Sequence, residues 1–79
     1  MYYSKPTGAL SSASTWGTNT NGTGTEPNLT YNGQYYMVAN RASTGLGGAL
    51  NIGGSISKLI VPAGTTLTVD NTISAKLEV

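Results

Sequence analysis

The sequence predicts an all-β fold, a right-handed parallel β-solenoid with rungs of about 17 residues behind an N-terminal β cap. Three observations predict it. First, residues 48–57, GALNIGGSIS, align without a gap on residues 65–74, TTLTVDNTIS. Leu50 matches Leu67, Ile52 matches Val69, Ile56 matches Ile73, and the turn-forming pair Gly53-Gly54 matches Asp70-Asn71. After one inserted residue, Ala75, the run Lys58-Leu59-Ile60-Val61 matches Lys76-Leu77-Glu78-Val79. Second, each unit alternates apolar and other residues at period two, the signature of a strand with one buried face. Third, the chain is rich in Thr (12), Gly (11), Ser (8) and Asn (7), which favour strands and turns over helices.

Taken in order, Tyr2–Ser4 reads as a short strand and Pro6–Gly8 as a turn, with a short strand or irregular stretch from there to Trp16. Residues 17–28, GTNTNGTGTEPN, carry no aliphatic side chain and read as a surface loop whose composition also suits disorder. Asn32-Gly33 tolerates positive φ at both turn positions, so Tyr31–Tyr35 reads as a hairpin, with Tyr36 and Val38 on one face of the following strand. Residues 42–48 form a flexible link. The repeat units follow, with corners at Gly53-Gly54, Pro62-Ala63-Gly64 and Asp70-Asn71. The unit is too short for a βαβ repeat. An antiparallel meander is the competing architecture, but it does not require the shared order of corners and strands. The expected organisation is one continuous domain, with a strand and loop cap over 1–45 and rungs over 46–79.

Bulk composition narrows the function classes. A chain of 79 residues forms one small domain of marginal stability. It has no Cys and no His, so neither a disulfide nor a zinc-type cluster is available. Lys5, Arg41, Lys58 and Lys76 are too few and too scattered for a nucleic-acid face. Glu26, Asp70 and Glu78 do not cluster as a calcium cage would. No stretch reaches the roughly 20 apolar residues of a membrane helix, and residues 1–15 lack the pattern of a signal peptide.

The opening run, Tyr2-Tyr3-Ser4-Lys5, then Thr7-Gly8-Ala9-Leu10, then Ser14-Thr15-Trp16-Gly17 and a Thr/Asn/Gly loop ending at Pro27, is similar to the start of large secreted surface proteins of Bacteroidetes. Those proteins are associated with type IX secretion. The Trp-containing opening also loosely resembles the G8-type β-helical modules of extracellular proteins. The resemblance implies a cell-surface or extracellular location, a β-helix with an N-terminal cap, and a role in adhesion or surface assembly. It supplies no catalytic residue. Such proteins are usually long, so a chain stopping at Val79 within a rung is expected to be a fragment or a short relative completed by assembly.

Several residues invite sharper readings. Trp16 is either a sugar-stacking platform or the lid of the first rung, and the lid is favoured because a stack must cover its apolar end. Tyr2, Tyr3, Tyr31, Tyr35 and Tyr36 offer the same choice between a ligand strip and packing. Gly45-Leu46-Gly47-Gly48 lacks the Lys-Ser/Thr of a phosphate loop. The Ser and Thr hydroxyls have no His to activate them, and Lys58 and Lys76 at matching positions read as a solvated ladder. Thr66-Leu67-Thr68 resembles an ice-binding Thr array, but Ala49 and Asn51 stand at the matching positions. Asn21-Gly-Thr23 and Asn28-Leu-Thr30 fit the N-glycosylation pattern, a match that is incidental in a bacterial protein.

The last rung exposes unpaired backbone groups and the apolar residues Leu67, Val69, Ile73, Leu77 and Val79, a template for pairing with another chain. The expected function is therefore a non-enzymatic, extracellular structural or adhesive module. Its partners are copies of itself in a head-to-tail fibre or the remainder of a longer solenoid, and no cofactor or metal is expected. The alternative is a carbohydrate-binding module that contacts surface glycans through Trp16 and candidate aromatics Tyr2, Tyr3, Tyr35 and Tyr36.

Overall fold

The computed structural model describes residues 1–53 and 56–78. The described residues form nine short strands: β1 (Tyr2–Ser4), β2 (Trp16–Gly17), β3 (Tyr35–Met37), β4 (Ser43–Gly45), β5 (Leu50–Asn51), β6 (Lys58–Ile60), β7 (Thr66–Thr68), β8 (Ile73–Ser74) and β9 (Leu77–Glu78). A 3₁₀ turn, Ala13–Thr15, precedes β2. The strands make a five-stranded sheet in the order β2-β1-β3-β6-β9 and two pairs, β4-β7 and β5-β8. β1 and β2 are antiparallel, and every other pairing is parallel. Together they form a globule of small mixed sheets, 27 × 26 × 21 Å.

This overturns the solenoid of 17-residue rungs. Leu50 lies beside Ile73, not Leu67, and the partner of Leu67 is Thr44. Partners are 23 positions apart in three pairings (Tyr35 with Lys58, Ser43 with Thr66, Leu50 with Ile73). They are 18 apart where Leu59 meets Leu77. No single repeat length describes the chain. The register is set by polar contacts at the corners. The Asp70 carboxylate accepts the Leu46 N–H at 3.0 Å, which ties the segment after β7 to the segment after β4. The Leu50 and Ile52 N–H groups then reach the carbonyls of Thr72 and Ser74. The 17-residue alignment sets Asp70-Asn71 on the corner at Gly53-Gly54, of which Gly54 lies outside the described residues. Ile56, aligned with the half-buried Ile73, is 73% exposed.

The expected hairpin is also absent. Before β3, Asn28 Oδ1 accepts both the N–H and the hydroxyl of Thr30, and the Tyr31 N–H reaches the Asn28 carbonyl. That turn absorbs the segment that would have been the first hairpin strand. β3 instead takes β1 and β6 as parallel neighbours. Gly33 still uses its freedom, with φ at +70°.

Residues 17–28 are organised by their own side chains. Asn21 Oδ1 accepts from the N–H and hydroxyl of Thr23, and Thr18 Oγ1 accepts from the Thr25 N–H. Local side-chain acceptors of this kind replace the sheet partners that the segment lacks. Gly17 permits the loop to close onto β2, since a Cβ there would stand 2.2 Å from the Thr23 carbonyl oxygen.

The core consists of Leu10, Trp16, Tyr36, Val38, Leu46, Leu50, Ile52, Leu59 and Val61. Leu67, Ile73 and Ala75 pack against it from one end, and Tyr2 and Leu29 are also packed against it. Ser4 is buried where β1 runs past β3. Its hydroxyl donates to the Ala39 carbonyl at 2.7 Å and accepts the Ala39 N–H at 2.8 Å, so one side chain replaces a rung of backbone pairing.

Candidate functional site

The geometry that sets one end of this molecule apart begins with a column of side chains. Tyr2, Tyr36, Leu59 and Leu77 occupy successive paired positions on β1, β3, β6 and β9. Tyr36 and Leu59 are fully buried, whereas Leu77 is 44% exposed. Burial falls at β9 because no described residue lies beyond it. The same holds at the other two sheets, whose last members are β7 and β8. Three strand edges thus open at one end of the protein, and Leu67, Val69, Ile73 and Leu77 are the apolar residues there. Leu67 and Ile73 are half-buried, and Val69 is 55% exposed. Val79, the fifth residue of the expected assembly edge, lies outside the described residues. These residues come from three strands, so the edge is a layer and not one strip.

The opposite end is covered. β2 pairs with β1, and the segment between them meets Arg41 and residues 46–48. The Ser11 N–H donates to the Leu46 carbonyl, and Gly47 packs on Ala9, at the far side from β7 and β8. Arg41 fastens this cover by donating from Nε to the Lys5 carbonyl at 2.8 Å, and from its terminal nitrogens to the Gly8 carbonyl at 2.9 Å and again to Lys5. Nothing in the sequence marks Arg41 for this role: the carbonyls it binds belong to residues more than thirty positions away, and its further partner, the Thr44 hydroxyl, follows no spacing rule.

The candidate aromatics divide by environment. Trp16 is fully buried, donates its indole N–H to the Leu10 carbonyl at 2.9 Å, and meets the Tyr36 ring edge-on at 5.3 Å. It presents no face to a sugar, which removes the platform on which the carbohydrate reading chiefly relied. Tyr2 stacks on Tyr36 at 5.5 Å. Tyr3 is half-buried in β1. Tyr35 is 40% exposed on the outer face, with the Lys58 ammonium 5.5 Å from its ring centre, and Tyr31 is 61% exposed. The aromatics form a buried cluster and separate surface residues, not a continuous ligand strip.

Burial, helped by the neighbouring Tyr2 phenol, pushes the Tyr36 hydroxyl up to about 12. The fold therefore favours neutral Tyr36, whose unfolded counterpart ionises near pH ~10. Its stabilising contribution is complete below that pH and is lost as pH rises towards about 12. The thermal midpoint is expected to fall across this window, and Tyr36→Phe is expected to flatten the slope. An equal slope in both proteins would assign the alkaline transition to other groups.

On the outer face of the open end, Lys58 and Glu78 form an ion pair at 3.0 Å, and this hydrogen bond holds the Lys58 ammonium above its ordinary pKa. Among the described residues there is no enclosed cavity and no group of side chains that could hold a metal ion. No described helix is long and apolar enough to cross a membrane. No family model matches the chain, and no curated protein or solved structure is significantly similar to it.

Proposed function

We propose that this chain is a structural or adhesive module of the cell surface or extracellular space, working by association through the layer formed by β7, β8 and β9. One observation carries the reading. Burial along the Tyr36–Leu59–Leu77 column collapses at β9, alongside two further strand edges that also lack a neighbour among the described residues. Open edges with exposed apolar side chains accept additional strands, with backbone hydrogen bonds supplying affinity. The covered end, closed by Trp16, Leu10 and Arg41, makes the module one-sided. That asymmetry favours a capped unit extended at one end over a head-to-tail fibre. The surface location rests on the likeness of residues 2–27 to secreted surface proteins.

Sedimentation of the purified chain from about 10 μM to 1 mM tests the reading. The expected result is a mass that rises with concentration and returns to that of a monomer when Val69→Lys and Leu77→Lys are introduced together. A constant monomer mass across the whole range would remove the proposal. Exposed Tyr31 and Tyr35 are what remains to support glycan binding.

A further inference from the structure

The open layer has a feature that specifies its partner. β9 uses the carbonyls of Lys76 and Glu78 to accept the N–H groups of Leu59 and Val61 at 2.8 Å each. Backbone groups alternate in direction along a strand. The N–H and carbonyl of Leu77 between them therefore point away from β6, into the open edge. A second strand running antiparallel and centred on Leu77 would meet both groups in one hydrogen-bonded pair.

The side chains around that point are self-complementary. With Leu77 opposite the same residue of another copy, Lys76 faces Glu78 of the partner and Glu78 faces Lys76 of the partner. Lys76 and Glu78 are both exposed. Opposite charges directly across a pair of strands stabilise it, and like charges oppose it. A parallel partner in the same register would set Lys76 on lysine and Glu78 on glutamate. Lys58 already reaches Glu78, so the antiparallel arrangement places the Glu78 carboxylate between two ammonium groups.

We infer that the partner of the open layer is a second copy of this chain, related by a two-fold axis at Leu77, with β9 of each copy pairing antiparallel with the other. The inference rests on the proposed role of the open layer and adds the partner, the register and the symmetry. A two-fold contact is closed, so it yields a dimer and not a filament. It seats the Leu67, Ile73 and Leu77 end of one core against that of the other.

Charge exchange provides the test. Lys76→Glu and Glu78→Lys are each expected to weaken self-association of the 79-residue chain about tenfold or more, because each sets like charges against like at two positions. Mixed in equal amounts, the two variants regain opposite charges at both positions and are expected to associate as well as the native chain or better. Because Glu78→Lys also removes the partner of Lys58, the thermal midpoint of each variant is recorded to show that the monomer remains folded. A second readout uses the absence of native cysteine. Leu77→Cys is expected to oxidise to a disulfide-linked dimer, since a hydrogen-bonded antiparallel pair sets its Cα atoms roughly 5.5 Å apart. Thr18→Cys, in the loop at the covered end, is expected to stay monomeric.

Recovery on mixing together with linkage at position 77 upholds the inference. Association that ignores the charge exchange, or linkage equally fast at position 18, overturns the two-fold register while leaving the open-layer reading intact. A chain that stays monomeric at all concentrations overturns both.

Discussion

Replacing Trp16 with alanine is expected to destabilise the fold by about 3–5 kcal/mol, the range for removing a large aromatic side chain from a core. A domain of 79 residues has about 4–12 kcal/mol in total on the usual per-residue scale. The loss therefore runs from about a quarter of the stability to all of it. Trp16 has no solvent-exposed surface, and three contributions disappear with it. Its apolar area returns to water, its edge contact with Tyr36 is lost, and the Leu10 carbonyl loses the indole N–H. The cavity would not collapse easily, because β2 is fixed to β1 on one side and Leu10 is anchored by the covering segment on the other. Trp16→Phe retains much of the ring but not the donor, and about 1–2 kcal/mol is expected from the orphaned carbonyl. Urea unfolding followed by far-ultraviolet circular dichroism measures both. The alanine variant is expected to shift the midpoint by about 2–4 M. A shift below about 0.5 M would show that the covered end is not part of the cooperative unit.

The division between what could and could not be read from the sequence follows physical lines. Strand β1 and the burial of Tyr36 and Val38 follow from aromatic and β-branched alternation, a local property. The facing of Leu59 and Leu77 follows from the repeated Lys-Leu-x-Val pattern, where the true spacing of 18 coincides with the aligned one. The rest of the repeat misled. Leu-x-Ile and Leu-x-Val resemble each other because all half-buried strands do, and similarity alone does not state which pair is adjacent. That choice was made by the Asp70 carboxylate reaching the Leu46 N–H, a contact between residues whose types carry no spacing rule. The same limitation hides Ser4, whose hydroxyl substitutes for a backbone rung, and Arg41, whose distant partners are carbonyls. The sequence expects an assembly edge at Leu67, Val69, Ile73, Leu77 and Val79, and the first four lie on or beside β7, β8 and β9. The division of this edge among three strands, and the outward direction of the Leu77 backbone groups, required the register.

Arg41 carries the second large expectation. Its guanidinium binds the Lys5 carbonyl through Nε and a terminal nitrogen, the Gly8 carbonyl at 2.9 Å and the Thr44 hydroxyl at 2.9 Å. One planar group thereby joins the segment after β1, the turn at Gly8 and the start of β4. Gly8, at a φ of +102°, aims its carbonyl at Arg41 from a conformation that other residues rarely adopt. Hydrogen bonds from a charged donor stabilise by about 1.5–3 kcal/mol each when sheltered, and Arg41 is half-buried, so Arg41→Ala is expected to cost about 2–3 kcal/mol in all. Arg41→Lys tests the geometry behind that figure. A lysine ammonium preserves the charge but lacks the flat fork that reaches several oxygens at once. It is expected to recover less than half of the loss. If charge alone mattered, the lysine variant would match the native chain. Hydrogen exchange locates the effect. The Lys5 N–H, bonded to the Thr15 carbonyl at 2.8 Å, is expected to exchange faster in both variants, while the Leu59 N–H on the far strand follows only global stability. Equal acceleration at the two amides would mean that Arg41 stabilises the whole core directly and not through the segment that covers its closed end.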